Sequence, residues 1–127
     1  MNKTNNDSVK IQIYLKLFDH YQDLNGDSSF YYIKKALELS QNFDNPELKA
    51  TCHNNIGLYY QDSGNFEKAY ESFNKSIEIE KQRSNNKGIG ISLNNLGLLY
   101  RNIGSYDLAL EYIKEAQQHF KGDTSLE

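Results

Sequence analysis

The sequence predicts an all-α fold, a solenoid in which about six helices form antiparallel pairs that stack on one another. The first observation behind this prediction is an internal repeat, because segment 54–60 reads NNIGLYY and segment 94–100 reads NNLGLLY. The second is that apolar residues recur at spacings of three and four between short runs of turn residues, which is the period of an amphipathic helix. A fixed repeat of this length is typical of arrays in which one helix pair cannot bury its apolar face alone and packs on a near-copy of itself.

Residues that favour helix termini mark where the predicted helices begin and end. Asn45 can cap free backbone amides, and Pro46 at the first helical position loses no hydrogen bond because its missing N–H would be unpaired there. Gly64 can adopt the left-handed conformation that closes a helix, and Asn65 can cap the next one. The predicted helices cover about residues 8–23, a segment that ends near 42, and then 45–63, 66–83, 87–102 and 106–120.

We expect one folded domain with polar ends. Residues 1–7 are predicted to form a flexible lead, residues 8–121 the repeat domain, and residues 122–127 a disordered tail. The domain divides into three helix pairs, here called units, which cover about residues 8–42, 45–83 and 87–120.

Composition narrows the classes of function. The chain carries a net charge of −3 without a basic block, which disfavours nucleic acid as a partner because such binding needs clustered Lys and Arg. No apolar run approaches the roughly 20 residues that cross a bilayer, and the first residues lack the apolar stretch of a secretory signal. We therefore expect a cytoplasmic location and no membrane segment. The single cysteine, Cys52, excludes an internal disulfide.

Small and large residues recur at matching places in the second and third units. These places hold Ile56-Gly57, Tyr60, Ala69 and Phe73 in one unit and Leu96-Gly97, Tyr100, Ala109, Ile113 and Ala116 in the other. The pattern resembles the tetratricopeptide repeat family, whose unit is a helix–turn–helix. The resemblance implies a right-handed superhelical array that is not an enzyme, needs no cofactor and binds a protein or peptide.

The recurring residues have physical reasons. Gly57 and Gly97 should let the two helices of a unit approach closely, since a glycine has no side chain to hold them apart. Tyr60 and Tyr100 are expected to fill the space between neighbouring units. His53 stands where the family commonly has Trp, and we expect it in the core.

The first unit departs from the pattern. Tyr21 matches Tyr60 at a shift of 39 rather than 40, so one residue is missing from the first turn. Phe18 stands at the place of the glycine and Ser29 at the place of the first alanine. No separate polar helix follows the third unit, so we expect either a fragment of a longer array or uncapped ends through which a second copy could pair.

The family resemblance places the binding surface on the concave face, which the first helix of each unit mainly lines. Asparagine dominates that face, and its carboxamide can both donate to and accept from the backbone of an extended peptide. In peptide-binding relatives such as kinesin light chains, an Asn at the place of Asn55 and Asn95 holds the peptide backbone. The predicted peptide-binding residues are Asn54, Asn55, Leu58, Asn94, Asn95, Leu98, Lys16 and Arg101. In the alternative interpretation, the Asn side chains bond neighbouring helices or water.

Catalytic and carboxylate-binding functions find little support. Cys52 and His53 are neighbours on a helix, where successive side chains diverge by about 100°, so they do not form a nucleophile–base pair by themselves. The three His residues lack the spacing of a metal site. Relatives that hold the C-terminal carboxylate of chaperones use Lys and Arg where this chain has Ile91 and Asn95.

A second hypothesis gives the array a structural role. Segment 86–97 resembles repeat arrays attached to bacterial sensor kinases, cyclases and transcription regulators. In that case the chain is a structural or self-associating segment of a larger signalling protein.

Overall fold

The computed structural model describes residues 3–42 and 45–122 and is helical throughout these ranges apart from the turns. No strand occurs in them, so the all-α prediction is confirmed. The helices are α1 (Lys3–Tyr21), α2 (Gly26–Ser40), α3 (Pro46–Asp62), α4 (Phe66–Gln82), α5 (Asn86–Ile103) and α6 (Tyr106–Lys121).

The first helix begins earlier than the sequence pattern indicated. α1 starts at Lys3 rather than near residue 8, so it includes most of the segment expected to be a flexible lead. That segment has no apolar periodicity. However, adding residues to a helix that has already formed costs little free energy, and Ile11 and Phe18 anchor the rest of α1 in the core. At the other end of the chain, α6 stops at Lys121. Of the tail predicted for residues 122–127, only Gly122 is among the described residues.

The helix caps recur at half the repeat length. Each helix from α2 to α6 is preceded by a capping residue, and successive caps are 20 residues apart. They are Asn25, Asn45, Asn65, Asn85 and Ser105. In the first three of these caps, the Asn Oδ1 accepts a hydrogen bond from a backbone N–H three residues later, at 3.1 to 3.3 Å. This bond satisfies one of the amides that a helix start leaves free. The 40-residue repeat therefore consists of two equal helix-plus-turn halves.

The first turn is one residue shorter than its equivalents, as the shift of 39 predicted. The carbonyls of Tyr60 and Tyr100 accept hydrogen bonds from the N–H groups of Asn65 and Ser105, five residues later. The carbonyl of Tyr21 accepts instead from the residue four positions later. The turn is thus tightened without moving the cap of α2.

The core is continuous from the first unit to the last. One cluster joins α1, α2 and α3 around Phe18, and a second joins α4, α5 and α6 around Phe73. Tyr60 packs against both clusters. Its ring lies 5.7 Å from that of Phe30 in the preceding unit, and Tyr100 lies 6.4 Å from Tyr70 in the same way. The prediction that these tyrosines bridge neighbouring units is confirmed.

The helices of a unit meet where a glycine faces a large side chain. A Cβ added at Gly57 would lie 2.5 Å from the Phe73 ring, and one at Gly97 would lie 2.7 Å from Ile113 Cγ1. Both distances are shorter than real contacts, so no side chain fits at either glycine while Phe73 and Ile113 keep their positions. The expected role of Gly57 and Gly97 is confirmed.

We predict that Gly97→Val lowers the free energy of unfolding by more than about 2 kcal/mol, because the added methyl groups overpack against Ile113 and the Ala109 carbonyl. Gly26→Ala is the control, since a Cβ there would meet its nearest neighbour at an ordinary 3.9 Å. Urea denaturation followed by circular dichroism measures both variants. Equal midpoints for Gly97→Val and the wild type would contradict this account of the helix contact.

We also predict that Ser84→Gly raises the free energy of unfolding by up to about 1 kcal/mol. Ser84 has a φ of 54°, in the left-handed region, whereas the matching turns place Gly64 and Gly104 there at 82° and 94°. Ser63→Gly, at the end of α3 with a φ of −82°, should instead be neutral or destabilising. The same denaturation assay measures both, and a less stable Ser84→Gly protein would show that the turn is not strained.

Candidate functional site

A cavity of about 480 Å³ lies between α3 and α5, the first helices of the second and third units. Residues at spacings of three and four line it from each helix, because these positions share one helix face. The lining residues are Ala50, Thr51, Asn54, Asn55 and Leu58 from α3, and Lys87, Gly88, Ile91 and Asn95 from α5, with Glu47, Glu80 and Asn85 at one end. We call this cavity the groove.

Half of the predicted binding residues border the groove. They are Asn54, Asn55, Leu58 and Asn95. Leu98, which is 38% exposed, and Arg101 continue the line of Ile91 and Asn95 along the same side of α5, beyond the cavity. The other two, Asn94 on α5 and Lys16 on α1, are not among its lining residues.

Asn54 has a structural contact as well as a place in the groove. Its Oδ1 accepts a hydrogen bond from Ser92 Oγ at 3.0 Å, and Ser92 Oγ lies 3.1 Å from Ser76 Oγ. Both serines are fully buried, so the three side chains form a polar link between α3, α5 and α4. A buried hydroxyl without a partner is costly, and Asn54 therefore serves at least partly to satisfy Ser92. For Asn54, therefore, the interpretation that the Asn side chains bond neighbouring helices is correct.

Asn55 and Asn95 occupy matching places on adjacent units. Both are half-buried at the groove wall, 40 positions apart in the sequence. Two carboxamides fixed at equivalent places on parallel helices present donors and acceptors along one line. Leu58 and Ile91 add apolar surface beside them. The arrangement can hold a backbone and one or two apolar side chains.

Sequence reasoning missed the charged end of the groove. Glu80 is only 5% exposed; its Oε1 lies 2.6 Å from Arg83 Nη1, and its Oε2 accepts from Asn85 Nδ2 at 2.6 Å. A Cβ at Gly88 would collide with the Glu80 carboxylate. Arg83 also lies 4.0 Å from the Glu47 carboxylate. The buried charge is thus paired and hydrogen-bonded, as burial requires. A signal was available in the small residue Gly88, which stands one turn from the α5 cap and leaves room for a carboxylate.

The pKa values of Cys52 and His53 are shifted away from those of a catalytic pair. Burial raises the pKa of the Cys52 thiol to about 12, so it is protonated at neutral pH and is a poor nucleophile. Burial, with a contribution from Lys75, lowers the pKa of His53 to about 4. The expectation that His53 fills the core is not met, since it is half-buried and borders a second cavity between α2, α3 and α4. Leu93, its counterpart in the third unit, is buried in the core.

The described residues contain neither a metal-binding cluster nor a membrane-spanning helix. No group of three or more His, Cys, Asp or Glu side chains there is placed to hold a metal ion. In the same ranges, no helix has both the length and the hydropathy that a bilayer crossing requires.

Comparisons with known proteins agree with the repeat pattern. Residues 49–122 match the sequence model of the tetratricopeptide repeat. Among solved structures, the chain is similar to the TPR domain of Arabidopsis FLU, with a TM-score of 0.79 and 19% sequence identity over 92% of this chain and 99% of that one. At that identity the likeness concerns the fold alone. The comparison with curated proteins finds no match.

The lowered pKa of His53 makes stability depend on pH. His53 is neutral in the folded protein down to about pH 4 but takes up a proton near its ordinary value of 6.5 when the chain unfolds. Its contribution is therefore complete above pH 6.5 and is lost as the pH falls toward 4. We predict a loss of roughly 2 kcal/mol across this window, allowing for partial solvent screening.

His53→Leu, which introduces the residue found at position 93, should remove that loss. His20→Gln, at an exposed site on α1, is the control and should keep it. Urea denaturation at pH 7, 5.5 and 4.5 measures how the free energy of unfolding of the wild type and the two variants depends on pH. Parallel curves for His53→Leu and the wild type would show that His53 is not the group responsible.

Proposed function

Because the chain belongs to the tetratricopeptide repeat family, whose domains are generally non-catalytic modules for protein–protein interaction, we propose that it binds an extended peptide segment of a partner in the groove. The observation that carries this proposal is the placement of Asn55 and Asn95 together on the wall of a cavity of about 480 Å³. A cavity of that size accommodates a few residues of an extended chain.

The polar groups of the groove favour recognition of backbone over side chain. A carboxamide that donates to a peptide carbonyl and accepts from a peptide N–H is indifferent to the side chain between them. Asn55 and Asn95 would supply two such contacts, and Asn54 a third through its Nδ2, since its Oδ1 accepts from Ser92. Asn94 would act in the same way if the peptide continued beyond the third unit.

Apolar and charged residues would select among peptides. Leu58 and Ile91 offer a place for an aliphatic side chain within the groove. Leu98 and Arg101 lie beyond the cavity on α5, and Lys16 lies on α1, so a longer peptide could meet an apolar contact and a cation on one side and a cation on the other. Acidic residues flanking an aliphatic centre would fit this order of contacts.

The outer surfaces of the first helix, α1, and the last helix, α6, support a second candidate function, that of a structural or self-associating segment within a larger assembly. Val9 and Ile13 on α1 are 56% and 52% exposed, at the places where α3 has Leu48 and Cys52 packed against α2. Leu110 on α6 is 55% exposed at the place where α4 has Tyr70 beside Tyr100. These faces have the chemistry of contacts between units, so another helix pair or a second copy could cover them.

We predict that the variant Asn55→Ala/Asn95→Ala retains peptides from a random library at least about tenfold less well than the wild type, since two hydrogen-bonding groups of the groove wall are lost. Both proteins are immobilised, exposed to the library and compared for bound peptide. Asn54 is left unchanged because its loss would also leave Ser92 without a partner.

Asn74→Ala is the matched control. Asn74 is also a half-buried Asn, but it lies on α4, and its Nδ2 donates to the Tyr70 carbonyl of the same helix. Circular dichroism confirms that each variant is folded. Equal retention by the double variant and the wild type would remove the groove as the peptide site, whereas concentration-dependent dimers in light scattering would favour the second candidate.

A further inference from the structure

A second cavity lies on the opposite side of α3 from the groove. It has a volume of about 290 Å³ and is bounded by α2, α3 and α4. Residues 51, 55 and 58 of α3 face the groove, whereas residues 53, 56 and 60 face this cavity. At about 100° per residue the two sets lie on opposite sides of the helix. The groove and this cavity, which we call the basic pocket, are therefore separate surfaces.

The basic pocket combines aromatic walls with an excess of positive charge. Phe30 and Tyr60 supply rings, and Lys34 Nζ lies 5.2 Å from the centre of the first while Lys68 Nζ lies 5.4 Å from the centre of the second. Lys75 adds a third cation, against one carboxylate from Glu71. A local charge of about +2 stands out on a chain whose net charge is −3.

The three cations are available to a ligand. Within residues 3–42 and 45–122, the side-chain ion pairs involve Lys35 and Arg83 but none of Lys34, Lys68 and Lys75. His53, which also borders the pocket, is neutral at physiological pH because burial and Lys75 lower its pKa to about 4. The pocket therefore has no internal counterion for its excess charge.

The third unit shows what the pocket would hold if it were filled. Ser72 of the basic pocket corresponds to Tyr112, and Tyr60 corresponds to Tyr100. In the third unit, the ring of Tyr112 stacks on that of Tyr100, with centres 5.4 Å apart and planes 11° from parallel. In the second unit, serine leaves the matching space beside Tyr60 empty. The opening is thus a property of this unit and is not imposed by the repeat.

The cations have no counterparts at the matching places 40 residues later. Lys34, Lys68 and Lys75 correspond to Asn74 on α4 and to Leu108 and Glu115 on α6. One set of substitutions therefore opens space for a ring and gathers positive charge around it. Both changes serve the same kind of ligand.

We propose that the basic pocket binds an anionic group carried on an aromatic ring, an aryl phosphate or aryl carboxylate. The ring would stack on Tyr60 in the position that Tyr112 takes beside Tyr100, and the anion would lie among the lysines. Lys68 has an exposed, flexible stem, so its ammonium can leave the ring of Tyr60 and pair with the anion. Charge-assisted bonds to an oxyanion are stronger than the cation–ring contacts they replace. The volume suits one substituted ring, at the small end of ligand cavities.

The test uses phenyl phosphate as the probe, titrated into the isotope-labelled chain and followed by amide NMR shifts. We expect saturable shifts at Tyr60 and Ser72. Ser72→Tyr, which introduces the residue of the third unit and keeps every charge, should weaken binding at least about tenfold. Lys34→Asn, which introduces the residue found at the matching place 74, should weaken it by a similar factor and keeps the test valid if the larger substitution fails to fold.

Two controls separate the parts of the proposal. Lys35→Asn changes a lysine on the same helix that lies over Tyr31 and near Glu38, and it should leave binding within about twofold of the wild type. Inorganic phosphate should bind at least about tenfold more weakly than phenyl phosphate, since it lacks the ring. Equal binding of the two anions, or undiminished binding by folded Ser72→Tyr and Lys34→Asn, would overturn the proposal.

A further arm identifies the source of the ring. A short peptide containing phosphotyrosine is compared with phenyl phosphate and with the same peptide unphosphorylated. Tighter binding of the phosphopeptide would support a protein side chain as the ligand, and equal binding would support a free aryl anion. The variant Asn55→Ala/Asn95→Ala should bind phenyl phosphate as the wild type does, because those residues lie across α3 from the pocket.

Discussion

The structure depends on the close approach of the two helices in each repeat, which glycine makes possible. Gly57 faces Phe73, and Gly97 faces Ile113, at distances that exclude even a methyl group. Because each large side chain fills the space over a glycine, one helix lies deep against the other and their remaining apolar residues reach the neighbouring unit. α4, held in this way against α3, packs on α5, and this stacking places α3 beside α5 with the groove between them. The first unit has Phe18 in place of the glycine, so its helices pack around a large residue carried by the first helix instead of the second.

Local signals predicted most of the fold. Asn45 with Pro46 and Gly64 with Asn65 were expected to mark helix termini, and all four do so, because caps and left-handed turns depend on a few adjacent residues. The left-handed conformation at Ser84 was harder to predict, since serine, unlike glycine, rarely adopts a positive φ. The start of α1 was missed because a polar helical extension has no periodic pattern.

The candidate site was only partly predictable. Helical spacing on a recognised repeat put Asn55 and Asn95 on one surface, and both border the groove. The bond from Ser92 to Asn54 joins residues 38 positions apart on different helices, so it depends on the packing and not on any local pattern. Glu80 pairs with Arg83 and Asn85 only three and five positions along the chain, but the burial of its carboxylate beside Gly88 depends on the packing of α4 against α5. Likewise, the difference between Ser72 and Tyr112 is plain in the sequence, but only the stacked ring of Tyr112 shows that the serine leaves an opening.

The even placement of caps from Asn25 to Ser105 has a consequence for how such a gene can change. Recombination between matching points of two repeats inserts or deletes 40 codons, and every helix downstream keeps its length, its cap and its partner. An exchange offset by 20 codons also preserves the helices, but it brings first-position helices against one another and destroys the match of glycine to bulky residue. Growth or shrinkage of the array should therefore occur in whole pairs, with breakpoints free to fall anywhere along the unit.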